Sequence, residues 1–314
     1  MALAAVIAAA MCLLSFLFPP DRPFPGQPGI CLPPPSAWDL SPLVSWILNI
    51  VLLGTITVGI WLLNQKYNLI RTTEPVEQVI FLIFVASNPW ITAHLSSSLI
   101  LCGAIIISLW ILFGCYDSPN ATHQMFAVAT FVSVGSMFQY GFLPFIAFFI
   151  ITAGIMKIFR LKEMIAFFLG LVSPYWVGVG LGWIPLSYFR LPSLSPLLEN
   201  TSMMLEIFFL MASVATAIFI GLICGVIDSV KIYAGNSQVS AMNNVVYWLG
   251  FICVACVLVD FNNMFTYIPT LYFTVAVQLA NLCALRKFKH EWLVTFLPSL
   301  VFIGFFIVFM LSSF

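Results

Sequence analysis

Residues 43–63 read LVSWILNIVLLGTITVGIWLL, and they decide the fold. No residue in this stretch is charged. As an α-helix rising about 1.5 Å per residue it would be about 31 Å long, which matches the roughly 30 Å hydrocarbon core of a bilayer. Ten further apolar runs follow the same logic, at 2–18, 76–87, 95–114, 124–138, 141–157, 163–183, 205–224, 244–259, 265–283 and 292–311. The run at 76–87 is short and leads into Asn88-Pro89-Trp90. Proline disfavours helical geometry in the residue before it, so a break is predicted at Asn88.

The expected fold is therefore all-α, a polytopic transmembrane helix bundle of about eleven spans. It forms a single integral membrane domain over residues 1–314. Lysine and arginine set its orientation. With the N-terminus inside, Lys66, Arg71, Lys157, Arg160, Lys162, Lys231, Arg286, Lys287 and Lys289 fall in internal loops. Only Arg22 and Arg190 fall outside. This is a strong positive-inside bias, and it puts the C-terminus outside. The first run lacks a positive leading segment, and its Ala8-Ala9-Ala10 sits mid-run rather than after it. It reads as a retained helix rather than a cleaved signal.

Composition agrees. The chain is 62% hydrophobic and only 7% charged, with a formal net charge of zero. A soluble domain of this size carries about 25% charged residues. No basic stripe exists to neutralise phosphates, so a nucleic-acid partner is excluded. Six of the eight cysteines lie within apolar runs, Cys253 and Cys256 among them. Packing is the simplest reading of that C-x-x-C spacing, because buried free cysteine behaves as a small hydrophobe. Trp46, Trp61, Trp90, Tyr116, Trp183, Tyr188, Tyr267 and Trp292 stand near run ends, as an interfacial aromatic belt would.

Non-basic polar residues gather on the predicted external side: Asp21, Asp39, Asn88, His94, Gln139, Tyr140, Glu199, Glu206 and Asp260. A site, if present, would open outward. The proline-rich segment 19–42 is either a stiff connector or a structured loop presenting Asp21 or Asp39 over the membrane face. Arg190 could hold a phosphate bidentately, from an ordinary lipid or from a substrate. His94 lies just past the Asn88 break and has no companions for a metal site, which leaves it a candidate for substrate contact. Asp260 precedes Asn262-Asn263. A solvated helix end is its simplest reading, and a carboxylate-plus-amide cation site is the alternative. No nucleotide, serine-hydrolase, zinc-protease or dinucleotide motif occurs, and no cofactor is expected.

Two sets of motifs carry a resemblance. NQKYNLIRT at 64–72 is followed by FQYGFLP at 138–144, FRLKEM at 159–164 and FLGLVSPY at 168–175. In this order, over about residues 43–185, the chain resembles an uncharacterised family of multispanning inner-membrane proteins from bacteria of the Bacteroides group. With its Asn88-Pro89 after a short third span, it is also distantly similar to the membrane half of polyprenyl-phosphate-sugar-dependent glycosyltransferases. That second resemblance implies an outer-face reaction on lipid-linked sugars. By position Asp21 or Asp39 would activate the acceptor, and Arg190 would hold the polyprenyl phosphate. The first external loop is shorter than those enzymes carry, and no soluble domain follows the spans. A transporter or flippase, and a non-catalytic assembly subunit, are the rival expectations. A transporter would show broken helices within the membrane. An assembly subunit would show small-residue faces such as Gly221-x-x-x-Gly225.

Overall fold

The computed structural model describes residues 2–20, 29–70, 75–189, 205–232, 237–260, 263–286 and 291–312. Among them there is no β-strand, and twelve α-helices run α1 (Ala2–Leu17), α2 (Pro42–Tyr67), α3 (Val76–Ala86), α4 (Pro89–Thr92), α5 (Ser97–Phe113), α6 (Thr122–Phe138), α7 (Phe145–Ile155), α8 (Leu161–Gly180), α9 (Leu205–Ile232), α10 (Ser237–Val259), α11 (Met264–Arg286) and α12 (Glu291–Ser312). Each of the eleven apolar runs holds a helix. The expected break falls at Ser87-Asn88, and the short α4 beyond it is an addition to the sequence reading.

Among the described residues five helices, in α2, α8, α9, α10 and α11, are long and apolar enough to cross a membrane. The outward faces of α2, α8, α9 and α10 carry large apolar side chains: Val51, Val58, Leu169, Trp176, Phe219, Leu222, Val226 and Phe251 are all exposed. Water penalises a continuous apolar surface of this kind, whereas hydrocarbon does not. This is a helical membrane protein.

Its centre is α11. This helix has the lowest mean hydropathy of the five, 1.2, yet 94% of its span is buried; α9, at 2.5, is only 33% buried. For α11 this is the reverse of a soluble core and follows from the solvent. Lipid cannot pair a polar side chain, so the most polar helix must be wrapped by the others. Thr266, Thr270, Thr274, Gln278 and Asn281 of α11 are all buried. At 100° per residue they share one side of the helix. Glycines let neighbours approach that side. A methyl at Gly221 of α9 would sit 3.0 Å from Gln278 Oε1, and one at Gly250 of α10 would sit 3.1 Å from Thr274 Oγ1. Gly225 faces Tyr247 and Gln278. The Gly221-x-x-x-Gly225 pair thus packs inside the chain. Further along, Asn281 donates to Asn243 Oδ1 of α10 at 2.8 Å.

The α6–α8 pair is the tightest seam. Both helices run in the same direction, with α7 returning between them. A methyl at Gly170 would lie 2.5 Å from the Phe126 carbonyl oxygen and 2.8 Å from Ala129 Cβ. Ser133 Oγ donates to the Leu171 carbonyl across the seam, and Ser136 pairs with Tyr175. Between α6 and α7, Gln139 is extended and Tyr140–Phe142 form a 3₁₀ turn. The described part of the proline-rich segment is structured. Ile30 N–H donates to the Ser136 carbonyl, and the N–H groups of Cys31 and Leu32 donate to that of Met137. These bonds satisfy carbonyls at the C-terminal end of α6 that have no partner within the helix. A side chain at Gly29 would overlap the Met137 carbonyl, so this close approach requires glycine.

Gly170→Ala is expected to force α6 and α8 apart and lower stability by about 1–3 kcal/mol. Gly154→Ala, where nothing lies within 4 Å of the added methyl, is the control and should change stability by less than about 1 kcal/mol. Thermal unfolding of the two purified variants in one detergent checks the pair.

Candidate functional site

The break after α3 builds the site. Ser87 closes α3, with its Oγ donating to the Phe84 carbonyl at 2.7 Å. Asn88 turns extended and accepts from Trp90 N–H through Oδ1, which starts α4. Pro89 at the first helical position needs no hydrogen-bond partner for its nitrogen. The chain then turns into α5 through Ala93, His94 and Leu95. This turn is recessed below the end of α2: the Asn49 amide, about 10 Å down α2 from Pro42, donates to the Ile91 carbonyl at 2.7 Å and to that of Thr92 at 3.4 Å. Ser45 Oγ accepts from Leu95 N–H at 2.8 Å. Irregular backbone at such depth is tolerated only where protein supplies its hydrogen bonds, and α2 supplies them.

Over this turn lies a cavity of about 80 Å³, whose lining includes Ser36, Trp90, His94, Gln139, Asn263 and Thr266. Ser96, Ser97 and Ser98 at the start of α5 border it, and Phe265 forms a wall with Trp90, the ring centroids lying 5.5 Å apart. The polar side is one connected network. Gln139 Nε2 donates to Thr266 Oγ1 at 2.6 Å and to Asn263 Oδ1 at 3.2 Å. Asn263 Nδ2 in turn donates to Asp260 Oδ2 at 2.8 Å, and the Tyr267 hydroxyl donates to the same oxygen at 3.0 Å. Asp260 is only 7% exposed, and its Oδ1 has no hydrogen-bond partner among the described residues. The Asp260–Tyr267 bond spans the junction of α10 and α11, where the chain reverses, so it ties the two helix ends together.

These positions revise several expectations. Asp260 is a buried carboxylate, not a solvated helix end, because the α11 side chains fold back over it. Tyr267 is wholly buried rather than part of an interfacial belt, since its hydroxyl is needed inside the network. His94 lines the cavity, as its place beyond the break suggested. Asp39 is exposed on the same end of the bundle, three residues from the cavity-lining Ser36, but does not itself line the cavity. Asp21 and Arg190 lie outside the described residues. Ser96–Ser98 and Thr266 join the site without having been singled out. The serine run just before an apolar helix was the sequence signal for Ser96–Ser98. All eight cysteines are buried, Cys253 and Cys256 within the apolar core, which fits the packing reading. No group of three or more His, Cys, Asp or Glu able to hold a metal gathers among the described residues.

The fold and site define a helical membrane protein with a recessed polar cavity at one end of its bundle. Comparisons of the chain with protein-family models, with curated proteins and with solved structures find no match.

His94 sits in the connection between α4 and α5, outside the long spans. It is an exposed residue, yet enough of its ring is desolvated against the cavity wall to pull its pKa below the ordinary 6.5. Folding thus favours the neutral imidazole. The stability this contributes is present above about pH 6.5 and is lost as pH falls through the lowered value. Thermal unfolding at about pH 7.5 and about pH 5 should show that loss, and His94→Gln should flatten the part of the slope that His94 contributes.

Proposed function

We propose that the chain is a multispanning transporter of a bacterial inner membrane that takes a small polar solute into the Trp90–Gln139–Asn263 cavity from the outer face. The single observation behind this reading is the helix broken at Asn88, whose loose ends wall a recessed polar cavity beside a buried carboxylate. Discontinuous helices of this kind serve transporters because the freed backbone and the helix ends can meet a substrate at depth. The polar ladder of α11 favours the same reading, since it extends from the cavity toward the opposite end of the bundle through otherwise apolar surroundings. The inside-positive charge pattern and the resemblance to inner-membrane proteins of the Bacteroides group support the membrane, the eleven crossings, the cytoplasmic N-terminus and the external C-terminus.

A second reading keeps the glycosyltransferase-like activity on lipid-linked sugars. It is favoured by the exposed Asp39 on the cavity-bearing end, close to Ser36 and on the same end as His94. In that reading Asp39 takes a proton from the acceptor, general-base help typically worth about 10²–10⁴-fold. Arg190 holds the polyprenyl phosphate leaving group.

Cysteine labelling tests the transport reading, because the eight native cysteines are buried and should react slowly. Transport predicts that Ser97→Cys reacts with a membrane-impermeant thiol reagent added outside, and that Asn281→Cys, at the far end of the ladder, reacts with it from the inside. If Asn281→Cys stays unreactive from both sides under all conditions, transport through this path is wrong. The enzyme reading makes a separate demand. Asp39→Asn should lower turnover of a polyprenyl-phosphate-linked sugar by at least about 10²-fold, while leaving both labelling patterns unchanged.

A further inference from the structure

The buried network carries a charge problem. Asp260 is 93% enclosed, counting from its 7% exposure, and makes no ion pair among the described residues. Among the described residues two donors reach it, both on Oδ2, and Oδ1 has no partner. The described basic side chains are no help. Lys66 ends α2, Lys157 follows α7, and Arg160 and Lys162 begin α8, all at the opposite end of the bundle. An isolated charged carboxylate in a low-dielectric interior is costly unless a cation pairs with it. The cavity adjoins the network. Asn263 lines it and holds the Asp260 carboxylate directly behind its wall.

The cavity's other wall narrows the kind of cation. Two aromatic rings, Trp90 and Phe265, line the cavity together with the polar side chains of Ser97, Gln139, Asn263 and Thr266. Aromatic faces attract a weakly hydrated organic cation and bring nothing to an anion. A negative charge behind the opposite wall disfavours an anion further.

We infer that this cavity binds an ammonium group, seated against Trp90 and Phe265 and drawn in by the Asp260 charge. The inference rests on the reading of the cavity as a solute site and names the class of solute. The ammonium could belong to a free amine or to the headgroup of a membrane lipid. Asp260 makes no contact with the ligand itself. It acts as a positioning and charge-supplying residue through Asn263.

The test uses the whole chain in a detergent without charge, with tetramethylammonium chloride as the free cation and short-chain phosphatidylcholine as the lipid headgroup. Sodium phosphate and glycerol serve as anionic and neutral probes, and ionic strength is held constant with sodium chloride. Each is scored by protection of Ser97→Cys from a thiol reagent. Protection by tetramethylammonium is the expected result and assigns a free amine; protection by the phosphatidylcholine alone assigns a lipid headgroup, and either supports the inference. Asp260→Asn should weaken the effective probe at least 10-fold. Trp90→Leu, which keeps the carboxylate network intact, should weaken it as well and covers the case in which Asp260→Asn fails to fold. Protection by phosphate or glycerol without protection by either ammonium probe overturns the inference and leaves a solute cavity standing. So does an ammonium effect that survives both substitutions at full strength, and so does protection by none of the four probes. The transport reading fails separately, through the unreactive Asn281→Cys.

Discussion

A polar group inside a membrane must find its partner within the protein, and the architecture of this chain follows from that requirement. Water pairs any hydroxyl or amide at a protein surface, but hydrocarbon pairs none. Helix α11 carries a hydroxyl or amide at nearly every turn of one face, so it cannot border lipid. The bundle therefore closes around it, with α3, α5, α9 and α10 all packed against it. The outer helices are then free to be purely apolar on their far sides. The same rule explains the glycines. Where the polar face of α11 meets α9 and α10, Gly221 and Gly250 bring backbone to side chain, and bulk there would hold the helices apart.

The rule also governs the broken helix. Ending α3 within the bundle leaves carbonyls without helical partners, a cost of about 1–3 kcal/mol for each buried group left unpaired. Asn49 meets two carbonyls of the α4 turn with one amide, and the Ser45 hydroxyl accepts one N–H. Both residues lie in the run 43–63, otherwise among the most apolar in the chain. They are exceptions to its hydrophobicity because they serve a neighbour. The structured segment after Gly29 does equivalent work at the end of α6.

Much of this was legible in the sequence. Run length and charge asymmetry require only local composition, so the helices and the break at Asn88 could be read directly. Asn88-Pro89 marks its break by a steric rule acting between adjacent residues. The site was half legible. His94 and Gln139 were visible as polar residues beside apolar runs, but nothing in the order of residues says that 139 and 266 meet. That contact spans more than a hundred residues, and tertiary packing alone decides it. Asp260 shows the same limit from the other side. Beside Asn262-Asn263 it reads as a wet helix end, and only the return of Tyr267 over it makes it dry. The four-residue spacing of polar groups from 266 to 278 was in plain view. It was masked because the run still averages apolar.

That spacing has a geometric consequence. Thr266, Thr270, Thr274 and Gln278 recur every four residues, so the ladder is close to periodic along its own axis. A screw displacement of α11 by four residues, about 6 Å of advance with a small rotation, carries each rung to the place its neighbour held. Gly221 and Gly250 present no side chain to that face, yet the rungs are not paired alike: Thr266 accepts from Gln139, whereas Thr274 donates to the Leu271 carbonyl of its own helix. Interlocked leucines would hold a core helix in one register. Here the wholly buried rings of Tyr267, Tyr272 and Phe273 do so, and α11 keeps one register although its polar ladder repeats.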